Sequence, residues 1–392
     1  MRKITADWLF PISSEPIENG VIIVDNQGKI LKIDSRDHHD IASLEYYKGV
    51  LVPGFINTHC HLELSHMKGK VATGMTLIPF ITGVVTQRGA EAEVIADAIE
   101  QAEKEMIEGG IVAVGDISNV TDTFAQKEKG NLRYYTFVEM FDFLQDNDAD
   151  KEFEKYKSIY DAIPLAKGSR KSVVPHAPYS VSRRLFKKIK DLNAKDNITI
   201  SIHNQETQSE QDLFLYGKGD FYDFYGKFGI SLNTFVPSGK TSIHYALENL
   251  DPSVKTLFVH NTLTSKADIG AAQMWSENVY WATCPNANLY IENRLPNYQH
   301  FIDDHVRMTI GTDSLTSNWQ LSILEEMKTI QRFQSYITFE ILIRWATLNG
   351  AQALGFEDTL GSFDIGKTPG INLLDLENDF ILRGDTKVKK VI

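Results

Sequence analysis

Beyond residue 50 the chain repeats one rhythm: a short apolar run, a polar turn, then a stretch with apolar residues at every third or fourth position. The apolar runs predict strands over 50–59, 111–116, 134–141, 172–176, 198–203, 256–260, 279–284 and 308–313. The intervening periodicity predicts helices over 93–108, 182–192, 241–250 and 320–333. In the last of these, Leu321, Leu324, Met327 and Ile330 recur at three-residue steps with Ile323 beside them, giving one apolar face. Strands alternating with helices over about 300 residues predict an α/β chain built as a (β/α)8 TIM barrel. An open doubly wound sheet is the alternative, but no Gly-x-Gly-x-x-Gly follows any predicted strand.

The two ends break this rhythm. Runs at 20–24 and 30–33 flank Asp25-Asn26-Gln27-Gly28, a hairpin signal, and strand-like runs return at 361–367 and 371–376. Neither end is long enough to bury a core alone. The expectation is a small β-sandwich assembled from residues 1–52 and 355–392, beside a barrel over 53–354. The segment 208–238 is rich in aromatic residues and reads either as helix with core packing or as a lid over a site.

Composition narrows the classes of partner. With 42% hydrophobic and 23% charged residues the 392-residue chain is ordinary globular material. Its net charge of −12 argues against nucleic acid or an anionic membrane surface as a general partner and leaves a small molecule open. Two cysteines, Cys60 and Cys284, make no disulfide framework, and no apolar run approaches the length of a bilayer span. The N-terminus has no signal-like apolar region, so the expected location is the cytoplasm.

The candidate chemistry sits where predicted strands end. The first ends in His59 and His61, the fourth in His176, the fifth in His203, the sixth in His260 and the eighth in Asp313. Residues i and i+2 of a strand share a side, so His59 and His61 can aim both imidazoles at one point. Barrel enzymes use residues from several strand ends on one face. Any one of these histidines is also compatible with a buried ring satisfied by core hydrogen bonds. His59, His61, His203 and Asp313 together make a set of three nitrogens and one oxygen for a single divalent ion with a position left for water. Zn2+ suits the imidazole-rich set, and Fe2+ or Mn2+ remain open by ligand type. Glu206, three residues beyond His203, is a candidate acid/base if its pKa is tuned, and equally an ordinary first-turn glutamate favoured by the helix dipole.

Pro53-Gly54-Phe55-Ile56-Asn57-Thr58-His59-Cys60-His61-Leu62-Glu63, His203-x-x-Glu206, His260 and Gly311-Thr312-Asp313-Ser314 resemble the amidohydrolase superfamily. More closely the chain resembles its aminohydrolase branch, which includes adenosylhomocysteine, guanine and aminofutalosine deaminases and triazine chlorohydrolases. His176-Ala177-Pro178-Tyr179-Ser180, Cys284-Pro285-Asn286-Ala287-Asn288 and the run over 361–374 are similar to segments of that branch. The resemblance implies that His59, His61 and His203 ligate a metal and that Asp313 is both ligand and general base. Glu206 would shuttle a proton to the ring nitrogen, His260 would hold the attacking water, and His176 would contact the substrate. It implies hydrolytic deamination of an amino-substituted nitrogen heterocycle of purine-nucleoside type, in a chain forming a homodimer. The alternative on the same scaffold is a hydrolase that displaces chloride or opens a cyclic amide. A non-catalytic barrel would be expected to have lost ligands. Strand four ends in His176 where binuclear relatives place a bridging group, which points to one metal ion. Glu139 is expected to bond a neighbouring loop rather than bridge, and Cys60 to point away from the metal. Asn286, Asn288 and Arg294 after the seventh strand, and Glu63 and Ser65 after the first, are candidate substrate contacts. Loop polarity explains each equally well. His66, His244, His300 and His305 are left out of the site.

Overall fold

A computed structural model describes residues 1–166, 168–194 and 197–392. The chain opens with β1 (Arg2–Leu9), β2 (Ile17–Glu18), β3 (Gly20–Val24), β4 (Ile30–Ser35) and β5 (Glu45–Pro53). β3 and β4 are the expected hairpin, antiparallel with Ile22 opposite Ile33. Asp25 closes its turn, Oδ1 accepting from the backbone N–H groups of Gln27 and Lys29 at 2.8 and 3.0 Å.

Eight strands then alternate with helices: β6 (Phe55–Cys60), β7 (Ile111–Ser118), β8 (Arg133–Met140), β9 (Arg170–Pro175), β10 (Thr199–Asn204), β11 (Lys255–His260), β12 (Val279–Thr283) and β13 (Met308–Ile310). They form two four-stranded sheets, β6-β7-β8-β9 and β10-β11-β12-β13, with every pair parallel. Helices such as Ala92–Glu108 and Arg183–Asn193 bury one apolar stripe each, Ile99, Ala102 and Met106 in the first and Leu185, Phe186 and Ile189 in the second. The two sheets touch at both edges. On one side the His203 N–H donates to the His176 carbonyl at 2.9 Å; on the other Thr312 and Asp313 N–H both donate to the His59 carbonyl at 3.0 Å. Glycine is required at 311, where a Cβ would come within 2.8 Å of the His59 Cβ.

The last strands, β14 (Ile371–Leu374) and β15 (Val388–Lys390), return to the beginning of the chain. β14 pairs antiparallel with β5, Leu373 opposite Leu51, while β5 pairs parallel with β1. The two ends therefore share a sheet, as the pattern predicts. It is one seven-stranded hydrogen-bonded sheet, β15-β14-β5-β1-β3-β4 with β2 on β1, where a sandwich takes two. The reason is β5, which bonds strands on both of its edges and leaves no break. Ile4, Leu9, Ile22, Leu51, Phe363 and Ile371 give it an apolar cluster of its own.

Two expected strands differ. The run over 50–59 divides at Gly54, with β5 ending in the terminal sheet and β6 beginning in the parallel one. The run over 361–367 is irregular, because Gly361 and Gly366 take φ of 85° and 94°. It is tied instead to β4, Gly366 N–H donating to the Ile30 carbonyl at 2.8 Å.

Candidate metal centre and active site

β6 ends as its alternation requires, with His59 and His61 facing one point and Cys60 buried between them. His59 Nε2 lies 3.2 Å from His61 Nε2, which lies 3.4 Å from His203 Nε2 at the end of β10. Asp313 Oδ1, just beyond β13, is 3.6 Å from His59 Nε2 and 3.4 Å from His61 Nε2. Three ring nitrogens and one carboxylate oxygen thus converge, and donors so close repel unless a proton or a cation sits among them. Cys60 is not part of this set.

Two of the four side chains, His203 and Asp313, are aimed by partners behind them, whereas the buried His59 Nδ1 has none among the described residues. His203 Nδ1 donates to the His176 carbonyl at 2.8 Å and lies 3.2 Å from Glu139 Oε1, which leaves Nε2 with its lone pair inward. Asp313 Oδ2 accepts from Ser317 Oγ at 2.6 Å. Asp313 and His260 both sit in the left-handed region, with φ of 58° and 71°. Such conformations cost about 1–3 kcal/mol each and collect at functional sites. Asp313 is held there by its backbone bond to His59.

Burial lowers the pKa of His59 to about 3 and of His176 and His260 to about 4, and it also lowers that of His61. These rings are neutral, the form that ligates metals. Burial also opposes charge on His203, but the bond and charge of Glu139 outweigh it and raise the ring to about 10. A metal in place of that proton receives the same support. Burial alone would raise Asp313, yet the His59 bond and the surrounding histidines hold it well below the carboxylate range. The donor set therefore fits a divalent ion: one hard oxygen from an ionised carboxylate, two neutral rings, and a third ring, His203, whose inward proton a cation would replace.

His61, His203 and Asp313 line a cavity of about 290 Å³, while His59 is fully buried. Glu206 and His260 enter from one side, with His260 Nε2 3.6 Å from Glu206 Oε1. Glu206 is fully enclosed, and burial pushes its carboxyl up to about 8. Its loop is fixed by Glu210, whose carboxylate accepts from the N–H groups of Gln205 and Glu206 at 3.1 and 2.9 Å. His176 also lines the cavity, its Nδ1 2.6 Å from Ser180 Oγ.

Asn286 and Asn288 lie elsewhere. Asn286 gives Nδ2 to Glu326 at 3.0 Å and accepts from Thr329 Oγ1 at 2.6 Å, so both ends of its amide are engaged with the neighbouring helix. Asn288 Oδ1 faces His260 Nδ1 at 2.9 Å. Neither lines the cavity; nor do Arg294 and Ser65, whereas Glu63 does. Glu139 bonds the loop after β7 through Asn119 Nδ2 at 3.2 Å and also approaches His203. The aromatic segment serves two purposes: Phe214 and Phe221 are buried in the core, while Phe224, Tyr225 and Phe228 line the cavity. Sequence reasoning missed Glu210, Glu326 and the cavity-lining helix Leu77–Gln87. Only Glu210 left a signal, as an acid in the first turn of the helix after Glu206.

Known proteins resemble this chain over most of its length. The amidohydrolase family profile matches residues 50–392. An aminodeoxyfutalosine deaminase of Nitratiruptor sp. is 29% identical over 349 residues, covering 86% of this chain and 80% of that protein. A 5-methylthioadenosine/S-adenosylhomocysteine deaminase of Thermodesulfovibrio yellowstonii is 27% identical over 407 residues, covering 95% and 84%. The crystal structure of Helicobacter pylori aminofutalosine deaminase with methylthio-coformycin shares the fold with a TM-score of 0.83 at 22% identity, over 97% of this chain and 93% of that one. The zinc complex of an Arthrobacter aurescens atrazine chlorohydrolase shares it with a TM-score of 0.73 at 17% identity, over 96% and 88%. With its profile matched over all but the first strands, the chain belongs to the amidohydrolase family.

Proposed function

We propose that the chain is a metal-dependent hydrolase releasing ammonia from an amino-substituted nitrogen heterocycle of purine-nucleoside type. One observation carries the reading: His59, His61, His203 and Asp313 converge beside a cavity that Glu206 and His260 also line. The deaminase names of relatives that match most of this chain support it. The two parallel sheets, bonded at both edges, are read as one (β/α)8 barrel over 53–354, and the terminal sheet over 1–52 and 355–392 as a second unit curled on its own core.

His59, His61, His203 and Asp313 would hold one divalent ion, with zinc favoured by the imidazole-rich set. Bound there, such an ion lowers the pKa of a water towards neutrality and makes hydroxide available. Asp313 would accept the proton that the attacking water gives up. Glu206, protonated by burial, donates to the ring nitrogen next to the amino-bearing carbon. His260, neutral, presents Nε2 beside Glu206 and orients the attacking oxygen. The new C–O bond forms as the ring nitrogen is protonated. Asp313 then passes its proton to the amine, the added hydroxyl returns its proton to Glu206, the C–N bond breaks, and ammonia leaves a ring carbonyl behind. Enclosure keeps bulk water from competing for these protons.

The test is ammonia release by zinc-loaded protein over adenine, guanine, cytosine and triazine derivatives, with Glu206→Gln in parallel. Ammonia from a purine nucleoside that disappears in the variant is the expected result. Chloride release from a chlorotriazine with no ammonia from any amine would overturn it in favour of a halide hydrolase.

A further inference from the structure

Glu326 stands in the first turn of the helix Ile323–Phe333, wholly buried and outside the cavity. Each partner of its carboxyl among the described residues is a donor. Oε2 accepts from the Asn286 N–H at 2.9 Å, and Oε1 from Asn286 Nδ2 and Asn318 Nδ2 at 3.0 and 2.7 Å. Burial pushes the carboxyl up to about 8, while these three bonds pull it down. Charged or neutral, both oxygens keep a lone pair for the donors they face.

The three bonds lead to two different strand ends. Asn286 lies in the first turn of the helix Pro285–Glu292, whose opening proline has no N–H, so the Asn286 N–H is the first that needs an acceptor. Two residues on, Asn288 of the same helix holds His260, with Oδ1 2.9 Å from the ring Nδ1 and Nδ2 3.4 Å from the backbone carbonyl. On the other side, Asn318 Nδ2 also donates to the Thr312 carbonyl at 2.8 Å, the peptide that leads into Asp313 and its left-handed φ of 58°. One carboxyl thus grips both the helix behind His260 and the loop that carries Asp313. Those two residues end β11 and follow β13, with β12 between them.

We infer that Glu326 is a positioning residue, setting His260 and Asp313 relative to one another so that both address one attacking water. The inference rests on the roles that the deaminase reading gives to those two side chains. A carboxyl is needed at this point because the amide nitrogen of a glutamine accepts nothing. Turned one way, that nitrogen opposes the Asn286 N–H; turned the other, it opposes both asparagine side chains.

The test is Glu326→Gln, read by ammonia release at full zinc loading and by the NMR spectrum of histidine-labelled protein. The His260 Nδ1–H signal is assigned by its loss in His260→Asn. We expect kcat to fall about 10–100-fold with KM changed much less, and the His260 signal to move or broaden as in Asn288→Leu. Combined with Asn288→Leu, the loss in kcat should fall short of the product of the single losses by about fivefold or more, because both act on one ring. Asn318→Ala cuts only the arm to Thr312; it should lower kcat about 10-fold and leave the His260 signal in place. Unchanged kcat in either variant, an unmoved signal in Glu326→Gln, or losses that multiply in full would overturn the inference and leave the deaminase reading standing. If Glu326→Gln does not fold, Asn318→Ala decides by the same criterion. No ammonia from the wild-type protein with zinc bound would overturn the deaminase reading, and the His260 signal would still decide whether Glu326 places the ring.

Discussion

His260 Nδ1 faces Asn288 Oδ1 across 2.9 Å, and this one contact decides which nitrogen of the ring meets Glu206. Asn288 also gives Nδ2 to the His260 carbonyl at 3.4 Å, so the amide orientation is set from both ends. With Nδ1 carrying the proton, Nε2 presents a lone pair towards Glu206 and the cluster. Asn288→Leu keeps the volume and removes the acceptor. We expect kcat to fall roughly 10–100-fold, as for other outer partners of site histidines, with KM changed much less. A variant with unchanged kcat would mean that the His260 tautomer does not matter to the reaction.

Glu206 gives the pH dependence. Burial raises its carboxyl to about 8 and the charge of Asp313 adds to that, while His203 pulls the other way. A proton donor is active below its pKa, so kcat/KM should decline as pH rises through that region. A bound cation favours the carboxylate, so the midpoint should fall at or below about 8. Glu206→Gln should lose about 10²–10⁴ in kcat, and its residual rate should lack this limb. Rates at fixed metal loading across pH 5 to 10 decide the matter, on the order of one unit in midpoint.

The side chains that converge at the cluster were legible in the chain because each signal is local. An apolar run ending in His59-Cys60-His61 carries its own geometry, since a strand puts alternate residues on one side. His203, His260 and Asp313 repeat the same grammar at other strand ends. What was not legible depends on pairing between distant segments. Asn286 has the polarity of a substrate contact, but only the fold reveals that Glu326, forty residues on, occupies its amide. The terminal sheet is similar: the short strands were visible, but their union through β5 is a matter of which edges meet. Helix Leu77–Gln87 escaped because it is apolar on much of its circumference, a pattern without helical contrast.

The ion itself is testable by stability as well as by rate. At free zinc 100-fold above its Kd, binding to the folded chain alone adds about 2.7 kcal/mol. Chelation should therefore lower Tm by several degrees, and adding zinc or manganese should restore it. His61→Ala should remove this response and bring metal content, read by elemental analysis, from about one ion per chain to near zero. A wild-type Tm insensitive to both chelator and metal would count against the site.

Lys127 supports His61 from behind, and its removal separates structural from chemical roles. Its Nζ lies 2.6 Å from Asp116 Oδ2, both groups being buried, and also donates to Ser118 Oγ at 2.8 Å. The other Asp116 oxygen accepts from the Leu62 N–H at 2.8 Å, which pins the chain immediately after His61. Lys127→Met keeps the length of the side chain but leaves Asp116 buried without its counter-charge. Breaking a buried pair in this way costs about 3–5 kcal/mol, so denaturant unfolding should shift by that order. The double variant Lys127→Met/Asp116→Asn removes both charges, and the introduced amide can still accept from the Leu62 N–H through its carbonyl oxygen. It should recover much of the stability, and the metal affinity with it, because His61 is again held. If the single variant lost stability but kept full metal affinity, the Asp116–Leu62 contact would be shown to brace the fold without aiming the ligand.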